Sequence, residues 1–460
     1  MANYIEGYYI DPINGNDNNS GTASKPFKTI QKGINVAGTN NNDGNKVYLK
    51  GGTYYLNQTL EFDYSGSKNA YLTIQPASGS KVVLDGKNIS GSRNMIDIRD
   101  ADRISITGLE IRNSPNHGIE VVNGSYVNIT DNLVYNTKGM GIRVRGYMAE
   151  LPQTEGDTYV QSSHVLIKDN GVYKTNLSNS GSRKGTANWG AAIQAWNANQ
   201  VKIINNTVGE NYGEGIGLTM VDNGVVSKNF LFDNYSVQLY LDSVTDSVVE
   251  ANFIKNYGNR QFYRDNAAAN GIGLANEIHN VANPSRFYLN NNQIKRNVIA
   301  GADTGIIYGT WGGIHQGNPN NWAGLKNTTF SNNTVYGSKY KSLKFYGDSN
   351  TYNVQVANNI FYQNSLDDLS DVDDLTGVKF RRNLWFGGRA GEGSSSTDIA
   401  SNPLLVNPGW HKLDDYRLRW NSPAIDAVNS GNDSWVKDGQ ADLGALEFGE
   451  PVFNVGDYLG

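Results

Sequence analysis

One unit, written three times in a row, constrains this chain more than any other feature. WGAAIQAWNANQVKIINNTVGENY, GEGIGLTMVDNGVVSKNFLFDNY and SVQLYLDSVTDSVVEANFIKNYG follow one another between Trp189 and Gly258. Ile193, Ile216 and Leu239 head the copies at intervals of 23, and Asn206, Asn229 and Asn252 each follow 13 residues later. A unit this short cannot bury its own apolar side, so it must stack on its neighbours as a solenoid. Its β-branched runs predict short strands, joined by Asn and Gly turns that reach left-handed backbone geometry cheaply.

The heading position recurs at Ile96, Ile119, Ile142, Ile272, Ile306 and Leu343, and the whole series runs at intervals of 23, 23, 51, 23, 23, 33, 34 and 37. The longer intervals read as one coil plus an insertion. A second ladder, Asn132, Asn170, Asn206, Asn229, Asn252, Asn297, Asn333, Asn359 and Asn383, marks a turn that stays tight. Asparagines stacked there can bond to each other and to backbone along the axis, which meets the polar groups of a buried turn. Their role is structural.

Both ends read as caps. Near the N-terminus, Phe27, Ile30 and Ile34 are helically spaced, predicting a helix around Pro26 to Val36 that covers the open apolar end. The preceding loop, with Asp11, Asn14, Asn16 and Asp17, offers hard oxygens suited to calcium and equally makes a hydrogen-bonded turn. From about Ser365 the period is lost. DLSDVDDLTG reads as an acidic, turn-rich passage in which Asp367, Asp368, Asp371, Asp373 and Asp374 either gather a cation or form a solvated loop. The expected division is 1–364, a solenoid with its N-terminal cap and insertions, and 365–460, the last coils and a C-terminal cap.

Composition narrows the function classes. The net charge is −5 with no basic run, which leaves no evident nucleic-acid or membrane-surface partner. No run of 18 apolar residues predicts a membrane span. The Met-Ala-Asn start lacks a charged n-region and an apolar h-region, so no signal peptide is expected there. With no cysteine there is no disulfide framework, thiolate metal site or cysteine nucleophile.

The opening NGNDNNSGTASKPFKTIQKGI followed by VYLKGGTY, and the closing NSPAIDA and ADLGALEFG, resemble the ends of secreted bacterial β-helix proteins. Among these are family 9 polysaccharide lyases and some β-helical glycoside hydrolases. The resemblance covers nearly the whole chain. It implies an all-β, right-handed parallel β-helix of the pectate-lyase superfold, acting outside the cell. It leaves the reaction open, because the same coil hosts lyases, hydrolases, epimerases and phage tailspikes. Family 9 further implies a lysine base and calcium held by aspartates in a DDG-like motif. This sequence has no DDG on its strands, and lysine reaches the relevant face only at Lys341 and Lys344.

If the heading residues point inward, alternation turns Glu120, Arg143, Gln194, Gly217, Tyr240 and Gly273 outward, with Arg145, Trp196, Thr219, Asp242 and Ala275 two residues on. An ordinary solvated sheet would repeat Thr, Ser, Lys and Asn. Insertions flank this one face and predict the walls of a groove, including Tyr263, Arg264, Trp311, His315 and Trp322, suited to stacking on sugars.

Two reactions fit. β-Elimination on a uronate chain needs a carboxylate neutraliser, a base and an acid; Arg143 and Arg145 suit the first two roles, and Tyr240 serves as proton donor or base. Hydrolysis needs two flanking carboxylates, for which Asp242 and Glu214 come from adjacent coils, with Glu277 and Glu120 in reserve. Glu214 stands at the strand edge, where alternation can fail. The outward arginines of GIRVRGY tilt the expectation toward a lyase on an acidic glycan. Each residue also has a plain structural role: Arg143 paired to Glu120, Tyr240 and Trp196 packed under an insertion, Asp242 capping at Ser243. The competing class is a non-catalytic glycan binder, such as a tailspike-like adhesin. Calcium is a possible cofactor and the metal ligands are unassigned. Monomer and homotrimer both fit a solenoid.

Overall fold

The structure is a computed structural model that describes residues 7–39, 45–67, 70–147, 161–181, 190–277, 288–309, 324–347, 350–362, 368–409, 411–429 and 440–456. Within these, short strands pair in parallel, coil upon coil, in one 24-stranded and one 13-stranded sheet. Among the described strands, only Val428–Asn429 and Gln440–Ala441 pair antiparallel. The heading residues stack in register: Leu60 on Ile96, then Ile119, Ile142, Ile193, Ile216, Leu239, Ile272, Ile306 and Leu343, and the same row continues to Ser370 and Gly391. All from Ile96 to Leu343 are fully buried and fill one core along the axis. No helix among the described residues is long and apolar enough to cross a membrane.

The asparagine ladder is continuous from Asn132 to Asn383. Asn229 shows the pattern: its backbone N–H and its Nδ2 both donate to Asn252 Oδ1 at 3.0 Å, and Nδ2 also donates to Ile203 O at 2.9 Å. At its far end the Asn383 N–H donates to Asp398 Oδ1. The insertions between heading residues leave this turn untouched.

The outward alternation has one regular break. The residue before a heading residue packs inward, against the next coil. A Cβ on Gly215 would lie 2.3 Å from Gln238 O and 3.0 Å from Leu231 Cδ2, and one on Gly271 would lie 2.3 Å from Gly305 O. With that position occupied by bare backbone, the residue two before the heading residue faces out. Glu214 is such a residue.

The ends differ in detail from expectation. The helix spans Ile30–Thr39, later than the spacing suggested, because Phe27 forms a β-bridge with Ile10 and Asp17 Oδ1 accepts the Lys28 and Thr29 N–H groups just before the helix begins. It buries Ile30, Gly33, Ile34 and Ala37 against the first strands. The acidic passage holds a strand, Asp368–Val372, which extends the stack because Leu369 and Val372 face the core. The segment beyond residue 400 runs back along the flank. Its Leu413, Tyr416, Leu418 and Leu443 share a second core with Phe230, Phe253, Val298 and Ile360 on the outer side of the 13-stranded sheet. Lys255 Nζ donates to Gly409 O at 3.1 Å, and the Gly456 N–H reaches Lys228 O. Apolar outward residues on those strands require such a cover.

Candidate active site

The predicted outer rows stand in register. Glu120 pairs with Arg143, Arg143 with Gln194, Gln194 with Gly217, Gly217 with Tyr240, and Tyr240 with Gly273. Beside it run Arg145, Trp196, Thr219, Asp242 and Ala275. Two charged groups divide this face, an acidic one around coils 214–277 and a basic one around coils 94–145.

In the acidic group, Tyr240 is nearly buried and its hydroxyl donates to Glu277 Oε1 at 2.8 Å. Asp242 is 1% exposed, and its Oδ1 accepts the Glu277 N–H at 2.8 Å and the Ser243 hydroxyl at 3.0 Å. One aspartate therefore both caps its own turn and anchors the segment carrying Glu277. Glu214, on the outward-turned edge position, reaches the same centre and has no hydrogen-bond partner among the described residues. Burial, then the neighbouring carboxylates of Glu277 and Asp242, push its pKa up to about 8, while Arg264 pulls the other way. At neutral pH Glu214 therefore holds its proton. Burial, with Asp242 and Glu277 beside it, also raises the Tyr240 phenol well above its ordinary value, so it stays protonated. Arg264 arrives from the insertion before Ile272, with Nη1 donating to Ser236 Oγ at 3.2 Å. Arg264 and Tyr263 are thus the described part of the predicted walls. Trp311, His315 and Trp322 lie outside the described residues.

Gln194 bridges toward this centre. Its Nε2 donates to Thr219 Oγ1 at 3.3 Å, and its Oε1 accepts the Ala191 N–H. A Cβ on Gly217 would stand 2.8 Å from Gln194 Oε1, so the missing side chain is what lets the amide lie across that coil. Trp196 stands one coil past Arg145, partly exposed.

In the basic group both predicted arginines are engaged by protein. Glu120 Oε1 accepts Arg145 Nε at 3.0 Å and Arg143 Nη1 at 3.3 Å. Asn94 donates to Glu120 Oε2, and Arg99 pairs with Asp97 at 3.3 Å. His117 accepts the Met140 N–H on Nδ1, and burial followed by the Arg143 charge lowers its pKa to about 4. This neutral imidazole is not placed to act as an acid. Asn94, Asp97, Arg99 and His117 escaped the sequence reading, although Asp97 and Arg99 stand one coil before Glu120 on the same two rows.

Among the described residues, the donors for the calcium that family 9 implies do not assemble, and no three His, Asp or Glu side chains are placed to share a metal ion. Asp11 Oδ1 is taken by the Ile13 and Asn14 N–H groups, and Asp17 by Lys28 and Thr29. Asp368 pairs with Arg389, Asp371 with Lys344, and Asp374 accepts the Thr376 N–H; Asp367 lies outside the described residues.

Comparison with known proteins agrees with the fold and adds a family. A pectate lyase, PEL9 of Emericella nidulans, is 28% identical over 153 residues, 30% of this chain and 35% of that protein. The uncharacterised protein YwoF of Bacillus subtilis is 28% identical over 167 residues, 36% of this chain and 28% of that one. The chain therefore spans about a third of the length of these curated relatives. XylC in complex with xylose shares the fold at a TM-score of 0.58 and 12% identity over 87% of both chains. A mutant of the PL6 family alginate lyase AlyGC shares it at 0.51 and 16% identity, over 88% of this chain and 58% of that one. Residues 8–367, most of the chain, match the Pel9A-like, right-handed beta helix region, and the protein belongs to that family.

Proposed function

We propose that the protein is a carbohydrate-active enzyme that hydrolyses a glycosidic bond in a polysaccharide met outside the cell. Glu214 is the general acid, and the second carboxylate comes from Asp242 or Glu277. The observation that carries this reading is a cluster of three carboxyl groups, the buried Glu214 and Asp242 with Glu277, in which burial and its two neighbours push the Glu214 pKa up to about 8. Hydrolysis needs one carboxylic acid to protonate the leaving oxygen and one carboxylate to act as base or nucleophile, and environments that push two such pKa values apart supply the pair. Tyr240 holds Glu277 in place by hydrogen bond, and Asp242 holds its backbone. The carboxylates at this centre repel a uronate, so the sugar at the cleaved bond is neutral.

Family membership supports a second reading, β-elimination, as the curated relative named a pectate lyase performs by name. Against it stands the pairing of Arg143 and Arg145 with Glu120, whose carboxylate offsets part of the charge that would neutralise a uronate.

The deciding experiment incubates the protein with neutral and acidic polysaccharides and follows reducing ends together with ultraviolet absorbance. Reducing ends without absorbance are expected. Absorbance rising with them would replace hydrolysis by elimination. No cleavage across the set, with binding retained, would leave a glycan-binding protein.

A further inference from the structure

Beyond the acidic centre, the strand face leads to a pair of exposed rings. The outward row runs on from Tyr240 through Gly273 and Ile307 to Lys344. Lys344 belongs to the strand Lys341–Phe345, and an exposed tyrosine stands at each end of it, Tyr340 before and Tyr346 after. Lys344 Nζ lies 5.5 Å from the Tyr340 ring centroid and 4.7 Å from that of Tyr346. Asp371 on the next coil holds the ammonium, and the lysine side chain keeps only 12% exposure. A fixed cation attracts the face of each ring, so Lys344 steadies both at once.

Rings that served only to cover a lysine stem would be buried with it. Tyr340 is 48% exposed and Tyr346 37%, whereas Tyr240 and Ile307 on the row between them are nearly buried. Gly273 and Ile307 are all that this row carries from Tyr240 to Lys344, so no long or polar side chain rises from it. Three strand spacings of ~4.8 Å put the rings roughly 14 Å from Tyr240 along the axis, a few sugar units away.

The charges around the rings decide which ligand fits. Lys344 is paired with Asp371, Arg389 with Asp368 at 2.8 Å, and the charge of Lys339 is opposed by Asp303. Lys341 Nζ donates to Asp368 O at 2.8 Å, while Asp373 and Asp374 lie beside Gly347 and Glu392 follows on the coil after Asp371. Carboxylates thus at least match the cations, and no positive charge is left to select an anionic sugar. What the strand offers is two flat ring faces with polar groups between them. An uncharged pyranose matches that with its C–H face and its hydroxyls.

We propose that Tyr340 and Tyr346, steadied by Lys344, form a stacking subsite for a neutral sugar unit, three coils beyond Tyr240 on the side away from Arg143. A glycan seated there and at Glu214 lies along several coils, so chain length governs how well it binds. The place of this subsite on the substrate path rests on the glycan-cleaving reading, and its test reads binding apart from cleavage.

The test is affinity electrophoresis of the Glu214→Gln protein in gels that each hold one soluble polysaccharide. The neutral set is β-glucan, galactomannan and arabinoxylan, and the acidic set is polygalacturonate and alginate. At least one neutral polymer should retard the protein. Tyr340→Ala and Tyr346→Ala should each weaken that binding ~3- to 10-fold, about the loss of one stacked ring, with the melting temperature unchanged because both sites are exposed. Tyr346→Phe keeps the ring and should keep the affinity. Calorimetry with oligosaccharides cut from the retained polymer should show affinity climbing with length, and Tyr346→Ala should flatten the last part of the climb. Unchanged binding in both alanine variants would overturn the proposal, as would retardation by the acidic polymers alone or by none of the set. Ring-dependent binding of a polymer that the native protein leaves uncut would sink the hydrolytic reading and leave the subsite standing. Cleavage with ring-independent binding would do the reverse.

Discussion

The asparagine turn and the strand face beside it are built from the same coils, yet they handle polar groups in opposite ways. At the turn, every coil repeats one residue, and each amide finds a partner on the coil before and the coil after. Asn206, Asn229, Asn252, Asn297 and Asn333 are all fully buried and all bonded along the axis. On the face no residue type carries over from one coil to the next. Glu214 is buried among like charges with no hydrogen bond among the described residues, and the basic group at Glu120 gathers three cations. Repetition lets a solenoid satisfy its own polar groups. Where it is abandoned, the leftover charge has to be explained by something outside the coil.

The largest effect should come from Glu214→Gln. Removing a general acid lowers kcat by ~10²- to 10⁴-fold. Stability should change in the opposite sense. The carboxyl ordinarily titrates at 4.5 and in the folded protein at about 8, so the folded state holds this proton more tightly. Its contribution is complete below pH 4.5 and disappears as the pH climbs through 8. The variant lacks that loss, so its melting temperature should fall less than the native protein's between pH 5 and 9. Parallel melting curves for the two proteins across that range would show that Glu214 ionises normally and would remove the basis for its catalytic role.

Asn229→Ala probes the other region. It removes the bonds from Nδ2 to Asn252 and Ile203, and strips the Asn206 backbone N–H and amide of their acceptor. Leaving several buried groups unpaired costs on the order of 4 kcal/mol. Denaturant unfolding should register that cost in full, while the pH dependence of activity in the protein that remains folded should not move. A shifted pH profile would mean that the two regions are coupled and that the comparison is too clean.

The contrast also explains how far the sequence could be read. The stack was legible because its heading residues and asparagines recur at counted intervals, and their pairing in the structure follows those intervals through insertions of very different length. Asp242 and Tyr240 were legible because simple alternation places them outside. Glu214 needed more, since its direction depends on Gly215 packing against the next coil's backbone, which no two-residue period expresses. The pairing of Arg143 with Glu120 was legible as a contact across one 23-residue coil, but that Arg145 reaches the same carboxylate was not, because alternation gives only that both arginines of GIRVRGY face outward. The flank-binding path of the C-terminal segment had a visible trace in FLF, FIK and VIA, whose outward Phe230, Phe232, Phe253, Val298 and Ala300 are apolar where a solvated strand would carry polar ones. Irregular elements answer to tertiary neighbours, and a period reports only on itself.

The smallest effect tests whether the acidic centre is tuned from outside the coil. Arg264 is carried by an insertion, and its charge opposes the rise in the Glu214 pKa that burial, Glu277 and Asp242 produce. Arg264→Gln keeps a donor for Ser236 and removes the charge. The Glu214 pKa should then rise by a fraction of a unit, and the alkaline limb of the pH–rate profile should move upward by the same amount, with the acid limb unmoved. Because Arg264 lies near the substrate path, KM is also free to change, but a KM change alone would not displace the alkaline limb of kcat. A limb that moves downward, or stays in place while kcat falls, would mean that Arg264 acts on the substrate or the fold and not on the proton of Glu214. An upward shift would place part of the catalytic tuning in the insertion, where the regular coil has no residue that could supply it.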